Sequence, residues 1–131
     1  MSLQFGYAIL YVPSVPEAIA FYERAFGFAD SFLHEGKDYG ELKTGATKLA
    51  FTSHELAEKA VPFKYIPATP EGKKLGVEFT LTFPDVDGLF QRALEAGAVE
   101  VSAPHDMPWG QRVAYVADIH GFVVGLATPM T

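Results

Sequence analysis

Glu78 is the side chain of this sequence with the most chemical leverage. It opens the stretch Glu78-Phe79-Thr80-Leu81-Thr82-Phe83, whose alternation predicts a strand with one packed face. Phe79, Leu81 and Phe83 then pack inward, while Glu78, Thr80 and Thr82 face a cavity. A carboxylate among apolar and aromatic groups is neutralised by a raised pKa or seeks a cation. Three uses stay open for it: an internal pair with Arg112 or a lysine, recognition of an ammonium or guanidinium group, and general-base catalysis. The last also needs an electrophilic stabiliser, for which Tyr7 and Arg112 are the candidates.

Other groups fit the same purpose. In Tyr7-Ala8-Ile9-Leu10-Tyr11-Val12 the alternation puts Tyr7, Ile9 and Tyr11 on one face, so two phenols and an isoleucine join the carboxylate and hydroxyls. Such a lining suits an organic ligand held by stacking and a few polar contacts. Trp109, the sole tryptophan, either forms an aromatic wall or packs its loop onto the core. The expected ligand-binding residues are Tyr7, Ile9, Tyr11, Glu78, Thr80, Trp109 and Arg112, with Glu78 also the candidate catalytic group. His34 and His54 fall near strand ends, His105 and His120 in turns, and no two have metal-ligand spacing. There is no cysteine, hence no disulfide, thiolate nucleophile or thiolate metal site.

The elements that position these groups are written twice. Pro13-Ser14-Val15-Pro16-Glu17-Ala18 and Pro84-Asp85-Val86-Asp87-Gly88-Leu89 lie 71 residues apart, and the same shift carries Tyr7 onto Glu78. Each strand leads into a helix that ends at a glycine, Gly27 or Gly97, where a left-handed residue is easily placed. Ser14 with Glu17 forms a capping-box pattern, Pro16 is tolerated in the first turn, and Asp85 caps the second helix. Three more strands follow in each copy: Ala29–His34, Tyr39–Thr44 and Lys48–Ser53, then Val99–Ala103, Arg112–Ala117 and Phe122–Ala127. The order β-α-β-β-β thus occurs twice, in one domain over 1–131: module one about 1–53, a linker about 54–75, and module two about 76–128. The linker begins with the helix-like Glu55–Ala60 and carries Pro62, Pro67 and Pro70. Phe63, Tyr65 and Ile66 are unusual in a solvated linker; they cover a pocket or dock on the core.

The 131 residues match one compact domain, and 49% hydrophobic with 20% charged residues is an ordinary globular composition. No apolar run approaches the roughly 20 residues that span a bilayer, so no membrane partner is expected. No secretory leader is read at the start, and a cysteine-free chain fits the cytoplasm. The formal charge of −6 argues against nucleic acid and would attract a cationic ligand.

Phe21-Tyr22-Glu23-Arg24-Ala25-Phe26-Gly27-Phe28, Trp109-Gly110-Gln111-Arg112 and Asp118-Ile119-His120-Gly121-Phe122 follow one another in an order, on a duplicated β-α-β-β-β frame, that resembles the vicinal oxygen chelate superfamily. That group contains glyoxalase I, extradiol dioxygenases and bleomycin-resistance proteins. The resemblance implies an α+β fold of two tandem βαβββ modules forming a curved mixed sheet around a concave site. It also implies a divalent-metal position, normally His, Gln or Glu from the first and last strands of each module. Those positions fall here on Tyr7, Glu78, Gly125 and a residue near Leu49, with Lys48 and Ala50 one step away. Only Glu78 is a ready ligand, whereas a catalytic metal site takes about three protein ligands. No cofactor is therefore expected, and a divalent metal is disfavoured. The family also implies a homodimer. The function expected is binding of a small organic ligand, planar or cationic, without the usual metal. The alternative is a lyase, isomerase or dioxygenase-like enzyme with an atypical metal set or Glu78 as general base.

Overall fold

The computed structural model describes residues 2–130. The elements run β1 (Tyr7–Val12), α1 (Val15–Phe26), β2 (Ser31–Leu33), β3 (Tyr39–Lys43), β4 (Lys48–Ser53), α2 (His54–Ala60), β5 (Glu78–Thr82), α3 (Val86–Ala96), β6 (Val99–Asp106), β7 (Arg112–Ala117) and β8 (Val123–Ala127). Hydrogen bonding divides the strands into two four-stranded mixed sheets, ordered β1-β4-β3-β2 and β5-β8-β7-β6. In each, the first strand runs parallel to the last and the remaining pairs are antiparallel. This is the α+β fold of two βαβββ modules expected from the sequence.

The chain forms two compact units. One comprises the N-terminal segment through Glu23 with Gly27–Pro67, the other Arg24–Phe26 with the chain from Ala68 onward. The expected linker is thus shared out, its first part belonging with the first sheet and its second part with the other.

The helices begin and end as their sequences dictate. Ser14 Oγ accepts from Glu17 N at 3.3 Å and Asp85 Oδ1 from Gly88 N at 2.9 Å, each satisfying a first-turn N–H that has no helical partner. Gly27 (φ 76°) and Gly97 (φ 116°) close the two helices in the left-handed region, where a Cβ would be penalised.

In the first unit Leu10, Val12, Phe21, Tyr22, Leu42 and Phe51 form the core. The Tyr22 and Phe51 rings pack 5.4 Å apart; burying each such side chain contributes about 1.5–3 kcal/mol. In the second unit Val86, Ala93, Val116, Val124 and Leu126 do the same between α3 and its sheet. The strand alternation follows: Tyr7 and Ile9 on β1, and Glu78, Thr80 and Thr82 on β5, are exposed.

β6 is longer than its sequence suggests, continuing through Pro104 and His105 to Asp106. It is an edge strand paired only with β7, with register shifts after Glu100 and Ser102, and an edge tolerates proline because one side needs no ladder hydrogen bond. His105, expected in a turn, is consequently a strand residue. Among the described residues no helix is long and apolar enough to cross a membrane.

Candidate functional site

The second unit holds a hollow of about 240 Å³ against its sheet, lined among others by Glu78 and Thr80 of β5, Tyr115 of β7, Gly125 of β8, and Trp109 and Gln111 from the β6–β7 connection. β5 pairs with β8 so that Thr80 lies opposite Gly125, and β7 brings Tyr115 opposite the same glycine. The absent side chain at 125 opens the floor. Glu78 also borders a neighbouring hollow of about 310 Å³ formed with Leu75–Val77 and Val123, so its carboxylate stands between two concavities.

Glu78 Oε2 accepts a hydrogen bond from Thr80 Oγ1 at 2.8 Å. No Lys, Arg or His among the described residues pairs with it. Arg112, read from the sequence as a ligand-binding residue and as a partner for Glu78, is taken up elsewhere. Its Nε donates to Asp87 Oδ1 at 2.7 Å, Nη2 to Asp87 Oδ2 at 3.2 Å and Nη1 to Asp106 Oδ1 at 3.2 Å. The two-pronged contact with Asp87 matches the planar guanidinium fork. It is the main cause that lowers the Asp87 pKa and raises that of Arg112.

Trp109 is 59% exposed and its edge is anchored. Its Nε1 donates to Gln111 Oε1 at 2.8 Å, and Gln111 Nε2 donates to the Thr128 carbonyl at 2.8 Å. A large aromatic face is thereby held at the hollow instead of being packed into the core. Gln111 and Tyr115 were not singled out from the sequence; Gln111 lies two residues beyond Trp109, and Tyr115 has the strand parity of Val113.

Tyr7, Ile9 and Tyr11 belong to the first unit. The Lys48 ammonium lies 5.6 Å from the centroid of the Tyr7 ring, a cation–π distance. Lys48 also pairs with Glu41 Oε1 at 3.2 Å, and the Tyr39 phenol donates to Glu41 Oε2 at 2.7 Å. The Tyr39 bond is the leading cause lowering the Glu41 pKa, whereas Glu41 chiefly raises that of Lys48; burial, first, and Glu41 raise that of Tyr39. Ile9 lies opposite Ala50. Tyr11 is flanked by Tyr65 and Phe63, with ring centroids 4.7 and 6.4 Å away.

These residues do not fit a divalent metal. The β1–β4 register pairs Ile9 with Ala50, and the β5–β8 register pairs Thr80 with Gly125. The last-strand counterpart in the first module is therefore Ala50, with Leu49 buried beside it, and neither Ala50 nor Gly125 carries a donor. Beside Tyr7 stands an ammonium, not a ligand. Among the described residues no three His, Asp or Glu side chains converge, whereas a catalytic site takes about three.

The profile of the Glyoxalase/Bleomycin resistance protein/Dioxygenase superfamily matches residues 4–126. Uncharacterized proteins of Mycobacterium bovis and Mycobacterium tuberculosis are 34% identical over 125 residues, 92% of this chain and 80% and 72% of theirs. A glyoxalase-related enzyme from Fulvimarina pelagi superposes with a TM-score of 0.78 at 20% identity, covering 98% of this chain and 89% of its own. TioX from Micromonospora does so with a TM-score of 0.71 at 23% identity, covering 98% and 100%.

Proposed function

Because the chain belongs to the glyoxalase/bleomycin resistance protein/dioxygenase superfamily, whose shared property is a fold and not one reaction, we propose from its side chains that it binds a small organic cation without a divalent metal. The observation that carries this reading is Glu78: an exposed carboxylate whose one partner among the described residues is the Thr80 hydroxyl, sharing a hollow with Trp109 and Tyr115. A carboxylate supplies the counter-charge and aromatic faces supply cation–π attraction, the combination that recognises alkylated ammonium groups. The chain's charge of −6 adds a favourable long-range field.

Binding is favoured over chemistry by the position of Arg112. A general base needs a partner that stabilises the developing negative charge, and the guanidinium that would do so at Glu78 is held by Asp87 and Asp106. Tyr7, Ile9 and Tyr11 remain proposed ligand contacts of the first unit in its own right. A homodimer belongs to the same reading, supported by the apolar Ile9, Val77, Val99 and Val101 left exposed. So does a cytoplasmic location, supported by the lack of cysteine.

The sole tryptophan makes the test direct. Titration with benzyltrimethylammonium is expected to change Trp109 fluorescence saturably, and benzyl alcohol is expected not to. Equal responses to both, or none to the cation, would refute charge recognition at this hollow.

A further inference from the structure

The first unit carries a second hollow, of about 640 Å³ and within the usual range of small-molecule sites. It is built by α2 and the segment that follows it, and shares no residue with the hollow around Glu78. Its apolar walls include Val61, Pro62, Phe63, Tyr65 and Pro67, and its charged members are Glu58 and Lys64.

The wall is preorganised. Tyr65 Oη lies 2.6 Å from His54 Nδ1, the His54 and Tyr65 rings stack with centroids 5.7 Å apart, and Tyr11 supports Tyr65 with centroids 4.7 Å apart. Pro62 and Pro67 restrict the backbone on both sides. An aromatic face fixed before binding avoids part of the ordering cost of association. Phe63, whose ring centroid lies 6.4 Å from that of Tyr11, keeps 55% of its surface exposed and so leaves a large apolar ring open to a ligand.

The charges indicate what fits. Neither Glu58 nor Lys64 makes an ion pair among the described residues, so one hollow presents aromatic surface, a free carboxylate and a free ammonium. A ligand complementary to all three has a flat apolar body, a cation and an anion. We propose that this hollow binds a planar aromatic zwitterion, of which an aromatic amino acid is the simplest case. Lys64 takes the carboxylate, Glu58 the ammonium, and Phe63 and Tyr65 the ring. The inference is independent of the role proposed for Glu78.

Calorimetric titration of the full-length chain with L-tryptophan and with indole-3-acetate, which lacks the ammonium, tests it. L-tryptophan is expected to bind the more tightly. Lys64→Gln is expected to weaken both ligands by about tenfold, the scale of one hydrogen bond to a charged group. Glu58→Gln is expected to weaken L-tryptophan similarly while sparing indole-3-acetate, and Phe63→Ala to weaken both. All three positions are exposed, so the fold tolerates these changes. Glu78→Gln is expected to leave both affinities unchanged, which separates this site from the other. Absence of L-tryptophan binding at millimolar concentration, binding lost in Glu78→Gln, or binding indifferent to Lys64→Gln and Glu58→Gln would overturn the proposal.

Discussion

Gly125 leaves open the space that the Glu78 carboxylate occupies: a Cβ at position 125 would lie 2.6 Å from Glu78 Oε2 and 2.7 Å from Thr80 Oγ1. The atoms in the way are the ends of side chains, so Gly125→Ala is expected to fold while pushing the carboxylate aside and breaking its bond with Thr80. The crowding should cost about 1 kcal/mol in urea denaturation, with weaker binding of benzyltrimethylammonium. Unchanged stability together with unchanged affinity would show that the close approach has no consequence.

The closing hairpin offers a contrast between two buried neighbours. Asp118 Oδ1 accepts from the backbone N–H groups of His120 and Phe122, both at 2.9 Å. His120 is buried, and its Nε2 has no hydrogen-bond partner among the described residues. Removing an acceptor strands buried donors, whereas removing an unpartnered nitrogen strands nothing. Asp118→Ala is therefore expected to destabilise by about 1–3 kcal/mol, and His120→Leu to be neutral or stabilising, in chemical denaturation. The reverse order would contradict this account of the turn.

Glu41 should contribute to acid sensitivity. Its carboxyl is held below the ordinary value of 4.5, first by the Tyr39 phenol and then by Lys48. A depressed folded-state pKa contributes stability above the unfolded value, and that contribution is lost as pH falls through the folded one. Tyr39→Phe removes the principal cause. The stability gap between wild type and Tyr39→Phe is thus expected to be largest above about 4.5 and to narrow as the pH is lowered. A gap independent of pH would place the effect in packing instead.

Local patterns made most of the fold legible. The repeated strand-to-helix turns, the caps at Ser14 and Asp85 and the closing glycines each depend on neighbours within a few residues. Contacts across strands were not legible. Which residue of β4 stands beside Ile9 depends on register, and the structure selects Ala50 over Leu49. Arg112 finds Asp87, distant in sequence, and nothing local distinguishes that partner from Glu78. The sequence reading places His105 in a turn beyond a strand ending at Ala103, yet an edge strand accommodates both Pro104 and His105. The aromatic content of the linker was visible, but not the seating of Tyr65 between Tyr11 and His54.

The most direct test of metal-free cation recognition is calorimetric titration of benzyltrimethylammonium into wild type and Glu78→Gln after EDTA treatment, with a repeat in added manganese, nickel and zinc. Binding is expected to survive EDTA, to gain nothing from the metals and to fall about tenfold in Glu78→Gln, as loss of a charged contact implies. Binding that requires a divalent ion, or that is the same in Glu78→Gln, would contradict it.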